Sequence, residues 1–148
     1  MRNIYKGMLG AVAGLAVLSG PALADTVQVQ AVVTNFRPEV VFIKPGDTVK
    51  WVNMTGHMTA SYPGMIPAGA KPWQSQLGED YQETFTKPGV YVYRCIPHES
   101  MGMTGSIVVG ALPPSNLKEI VDNPNAKGGM VGREVRDLEK AIKEKSGK

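Results

Sequence analysis

The stretch Cys95-Ile96-Pro97-His98-Glu99-Ser100-Met101-Gly102-Met103 gathers the soft metal-binding side chains of this chain onto one short segment. It sets the single Cys and one of the two His at a Cys-x-x-His spacing, with Met103 five residues further on and Met101 between. The second imidazole, His57, lies upstream in Met54-Thr55-Gly56-His57-Met58. One thiolate, two imidazoles and a weak thioether are the donor set of a copper ion that passes single electrons. The thiolate gives a short covalent bond and a route for the electron. The neutral imidazoles serve both oxidation states, and a distant thioether favours the reduced one. A structural zinc site more often uses several Cys, or His with carboxylates. Covalent haem needs Cys-x-x-Cys-His, which is absent. A nucleophilic Cys–His pair needs a third group to orient the imidazole, and none is evident. Taken singly, a Cys is commonly a small buried hydrophobe, and Met101 and Met103 read as packing. Their coincidence on one segment carries the metal reading.

The flanking segments explain how such donors are held. Gly89-Val-Tyr-Val-Tyr-Arg94 alternates as a strand does, and Gly105-Ser-Ile-Val-Val109 is β-branched and apolar. The donors therefore sit on a loop between two strands. Upstream, Thr26 to Val33 alternates as a half-buried strand, and Phe36 to Ile43 reads as one apolar strand with Pro38 near its start. Lys44-Pro45-Gly46-Asp47 is a tight turn. Thr48 to Asn53 alternates again and leads to the His57 loop. Ser61 to Gly78 is an irregular loop whose Met65, Ile66 and Trp73 give it something to bury. Tyr81 to Thr86 alternates up to the Lys87-Pro88-Gly89 turn. Short strands punctuated every 8–12 residues predict an all-β sandwich or barrel.

After Pro113-Pro114 the pattern changes. Ser115 is positioned to cap a helix through Val121 that stops before Pro124. Beyond Gly128-Gly129, Val131, Val135, Leu138 and Ile142 form one helical stripe, with charges on the other face. Mixed charge argues for packing on the sandwich rather than on a membrane.

The first residues, with Arg2 and Lys6, an apolar run from Met8 to Leu18 and Ala22-Leu-Ala24, read as a signal peptide cleaved after Ala24. Residues 1–24 are assigned to that signal and residues 25–148 to one domain, the helices at about 115–146 included. Of 16 basic residues, two leave with the signal, so the remaining chain is close to neutral against 13 acidic residues. Nothing suggests nucleic acid or a membrane span. Export normally favours disulfides, and a single Cys cannot form one internally, so a metal-bound thiolate accounts for Cys95.

The loop Cys95 to Met103 resembles the Cys-Thr-Pro-His…Met-Gly-Met signature of the pseudoazurins, a group of cupredoxins. Gly64-Met-Ile-Pro-Ala-Gly-Ala70 is similar to their Gly-Met-Ile-Pro-x-Gly-Ala segment, and the resemblance covers residues 26–146. It implies an eight-stranded Greek-key β-sandwich with a two-helix C-terminal extension. It implies one type 1 copper held by His57, Cys95, His98 and axial Met103, with Met101 matching only a shorter loop. It further implies a monomeric periplasmic electron carrier, not an enzyme, whose partners are redox proteins such as nitrite reductases or c-type cytochromes. The exposed edge of His98 would be the electron port. The chain departs from the pattern at Met58 and Ile96, where the family carries Asn and Thr as a polar tie between the ligand loops. The expectation is an apolar contact and a drier site. The basic ring around the port is thin, with Arg94 and Lys71 as members and Glu99 beside His98. Met54 and Met58 near His57 also raise the alternative of a periplasmic copper-trafficking or storage protein using Met-rich loops.

Overall fold

A computed structural model describes residues 23–147. The expected signal segment lies, apart from its last two residues, outside the described residues. The strands are β1 (Thr26–Val32), β2 (Asn35–Arg37), β3 (Val40–Ile43), β4 (Thr48–Val52), β5 (Ala60–Ser61), β6 (Tyr81–Thr84), β7 (Gly89–Arg94) and β8 (Thr104–Val109). They form two four-stranded sheets, in the orders β2-β1-β4-β6 and β3-β8-β7-β5. Two helices follow, α1 (Leu117–Asp122) and α2 (Gly129–Ser146). Eight strands in two facing sheets with a two-helix extension match what the resemblance implies. Among the described residues, no helix is long and apolar enough to cross a membrane.

The two sheets differ in burial, and the alternation of their residues says why. In β1 only every second residue is buried, so that sheet covers the core with one face and meets solvent with the other. In β7 and β8 nearly every residue is buried. Tyr91, Tyr93, Ile107 and Val109 point between the sheets, where they meet Phe36, Trp51 and Phe85. Val90, Val92 and Val108 point the other way and meet Val131, Val135, Leu138 and Ile142 of α2. The helical stripe thus covers the outer face of the second sheet, each large side chain contributing about 1.5–3 kcal/mol by leaving water. From the long loop before β6, Trp73 enters the inter-sheet core with its ring centroid 5.8 Å from that of Trp51, and Met65 enters the outer one.

Two local expectations are corrected. Phe36 to Ile43 is two strands in different sheets: Phe36 pairs with Ala31 of β1, whereas Val41 pairs with Ile107 of β8. Pro38 has no N–H to continue a ladder, and the chain steps across the sandwich there. Phe36 and Val41 enter the same core from opposite sheets, with Arg37, Pro38 and Glu39 at the crossing between them. Second, α1 is preceded by Asn116, not Ser115, and Asn116 makes no side-chain cap. Its amide is buried against β7, accepting from Val90 N–H at 2.7 Å and donating to Val90 C=O at 3.0 Å. Along β7, strand β5 reaches only Tyr93 and Arg94, so Asn116 supplies at Val90 the ladder partner that the short strand does not extend to.

Candidate metal centre

Strands β7 and β8 are antiparallel neighbours with Arg94 opposite Thr104, so Cys95 to Met103 is the connection at their shared end. Cys95 is extended, at φ −93° and ψ 110°, and donates its N–H to Met103 C=O at 2.9 Å, adding a rung to the ladder. Ile96–Met101 then winds as a 3-10 turn with Pro97 near its start, where the missing N–H costs nothing. Gly102 closes the turn at φ 84°, a left-handed conformation that favours glycine. A Cβ there would also lie 3.0 Å from Met130 Cε. Met103 N–H donates back to His98 C=O at 3.2 Å. The loop is thus closed on itself before any ion is considered.

The His57 loop between β4 and β5 is held separately. His57 N–H donates to Met54 C=O at 2.7 Å, and Gly78 N–H donates to His57 C=O at 2.8 Å. Asp80 accepts from Met54 N–H at 3.2 Å, and the Ser75 hydroxyl accepts from Thr59 N–H at 3.0 Å. Residues 75–80 therefore brace this loop. Sequence reasoning assigned them no role, because nothing local in Ser75 or Asp80 announces a partner some twenty residues away.

Three of the sequence-predicted donors converge. His57 Nδ1 lies 3.1 Å from His98 Nδ1 and 3.9 Å from Cys95 Sγ, and His98 Nδ1 lies 3.5 Å from that sulfur. The centre of such a triangle is about 2 Å from each corner, within the roughly 2.0–2.3 Å of metal–nitrogen and metal–thiolate bonds. The donor set fits copper: one buried thiolate ligand, two half-buried imidazoles and no carboxylate in the group. Burial holds the His57 imidazole below its ordinary pKa, and the neighbouring His98 charge lowers it further. Both effects favour the neutral ring whose lone pair can bind a metal. The two methionines of the loop part company. Met103 is fully buried, in the cluster that contains Cys95, whereas Met101 is 57% exposed.

The surroundings bear on the departures noted above. Met58 is buried, but Ile96 is 39% exposed, so any drying of the site rests on Met58. Arg94 donates to Glu99 at 2.6 Å and lies over the Tyr62 ring at 4.8 Å. Its charge is engaged, and it is not a free member of a basic ring.

Residues 24–110 match the model of the copper binding proteins of the plastocyanin/azurin family. The chain belongs to this family. Its relatives include the pseudoazurin of Paracoccus pantotrophus, 31% identical over 116 residues that cover 74% of this chain and 80% of the relative. The pseudoazurin of Methylorubrum extorquens is 35% identical over 117 residues, covering 72% and 78%. Among solved structures, pseudoazurin from Methylobacterium extorquens AM1 superimposes with a TM-score of 0.71 at 30% identity, over 79% of this chain and 98% of that one. The pseudoazurin of Sinorhizobium meliloti gives 0.64 at 34% identity, over 80% and 94%. This pseudoazurin-like cupredoxin is therefore a blue copper electron-transfer protein, with His57, Cys95 and His98 arranged as a type 1 copper site.

Proposed function

We propose that this cupredoxin is exported, cleaved after Ala24, and shuttles single electrons in the periplasm between redox proteins such as a c-type cytochrome and a nitrite reductase. The observation that carries this reading is the donor triangle of His57, Cys95 and His98 on two independently braced loops. Bound copper supplies one reversible electron. The chain supplies a geometry that need not rearrange when the charge changes. Cys95 is sealed in the core, and Met103, buried beside it, would supply the weak thioether and help keep water from the metal. His98 sits on the exposed turn between Ile96 and Met101, both open to solvent, and its edge is the route to a partner. The Arg94–Glu99 pair beside it cancels local charge, so encounter depends on apolar contact more than on steering.

The trafficking alternative is not favoured. Met54 and Met58, whose thioethers suggested it, are buried core residues rather than open ligands. The test is the visible and EPR spectrum of the copper-loaded mature chain, with stopped-flow electron exchange against a c-type cytochrome. We expect an intense thiolate-to-copper band, a narrow copper hyperfine splitting and reversible cycling. A colourless copper form that loses its metal on reduction would overturn the carrier reading.

A further inference from the structure

Helix α2 carries one residue that the electron-carrier reading does not use. Glu134 interrupts the apolar stripe between Val131 and Val135, and it is fully buried. A carboxylate there without partners would be prohibitive. Its partners lie on β8: Ser106 Oγ donates to Glu134 Oε1 at 2.6 Å, and Thr104 Oγ1 lies 3.3 Å from Oε2. The residue before it, Arg133, donates through Nη2 to Gly102 C=O and to Glu39 Oε1, each at 3.2 Å. Gly102 and Thr104 are the two neighbours of Met103. Adjacent residues of one helix thus grip the chain on both sides of the buried thioether.

We propose that Arg133 and Glu134 are positioning residues for the copper site, a clip by which α2 fixes the Met103 segment. The inference rests on the reading of Met103 as axial ligand.

The hydroxyl of Thr104 shows how the clip is wired. It faces two acceptors, Glu134 Oε2 and Gly102 C=O, both at 3.3 Å. One hydroxyl proton cannot serve both. Both contacts are hydrogen bonds if Glu134 carries the proton, donating from Oε2 to Thr104, which then donates to Gly102 C=O. Gly102 C=O accordingly receives Thr104 on one side and Arg133 on the other. The surroundings favour the protonated acid: burial raises the Glu134 pKa to about 8, and the nearby Glu39 carboxylate acts in the same direction. The titratable or charged groups around it are Glu39 ahead of β3, Tyr93 of β7 and Arg133 of its own helix. A glutamine reproduces this pattern, since its amide N–H can donate to Thr104 while its oxygen accepts from Ser106.

The test uses Glu134→Ala, Glu134→Gln and Arg133→Met in the full mature chain. In the apo-protein at pH 7, amide exchange is read at Met103 and Cys95, with Val49 of the far sheet as reference. Glu134→Ala and Arg133→Met should speed the first two by about tenfold or more with Val49 unchanged, and Glu134→Gln should leave them no faster than in the parent. In the copper form, Glu134→Ala and Arg133→Met should change the intensity ratio of the visible bands and the EPR rhombicity. Glu134→Gln should restore both. Unchanged Met103 and Cys95 exchange together with unchanged spectra in the Ala and Met variants would overturn the clip. Met103→Leu reads the axial assignment separately. A parental spectrum in that variant would overturn the axial reading and the clip's role at copper, even if the amides of Glu134→Ala exchange faster.

Discussion

Glu134→Gln should make the apo-protein more stable than the parent at neutral pH and within about 1 kcal/mol of it in acid. In the folded chain burial is the main cause, with Glu39 adding to it, that lifts the Glu134 pKa from its ordinary 4.5 to about 8. Between those values the native state holds a proton that the unfolded state has released, so stability falls as pH rises. The contribution of this group is fully present below about pH 4.5. It is lost progressively up to about pH 8, beyond which the folded acid ionises too and the loss stops growing. Each pH unit in the window is worth about 1.4 kcal/mol, which puts the whole loss at about 5 kcal/mol. A glutamine cannot ionise and keeps partners for both Ser106 and Thr104, so it removes the pH dependence at a cost of about 1 kcal/mol or less in acid. The assay is urea unfolding of both proteins from pH 4 to pH 9. Titrations common to both cancel in the difference. That difference should climb at about 1.4 kcal/mol per pH unit through the middle of the range and then level off. A difference that stays flat across pH 5 to 8, or a variant weaker by a constant amount at every pH, would refute the buried, proton-bearing carboxyl.

Three further outcomes follow from the same geometry. Cys95→Ser should abolish the visible thiolate band while leaving the apo fold within about 1–2 kcal/mol of the parent, checked by absorption and urea unfolding, because the site is closed by backbone hydrogen bonds. Asn116→Ala should cost about 2–3 kcal/mol in chemical denaturation, since it strands the buried Val90 N–H and C=O together. Gly105→Ala should destabilise by about 2–3 kcal/mol in the same assay, because its methyl would lie 2.5 Å from Tyr93 Oη and Cζ in a filled core. Pairing it with Tyr93→Phe should recover only part of the loss, since the ring carbon remains.

Much of this protein was legible along the chain, where the signals are local. Alternation marked β1, β4 and β6 because one strand side faces the core, and in β7 it separates tyrosines that face the other sheet from valines that meet α2. The stripe Val131, Val135, Leu138, Ile142 marked α2 because a helix buries one side. The donors at 57, 95 and 98 were recognisable by type, since few other side chains offer such ligands at that spacing. What the chain alone left hidden depends on who arrives from elsewhere. Phe36 to Ile43 looked like one strand, and only its two different partners divide it. Asn116 looked like a neighbour of a helix cap, and it serves a strand 26 residues away. Arg94 looked free until Glu99 folded back onto it on the same loop. Glu134 looked like one more charge on a mixed helix, and it lies sealed against Thr104 and Ser106. Periodicity says which side of an element is buried. It cannot say against what, and a polar group's role is set by the partner that packing delivers.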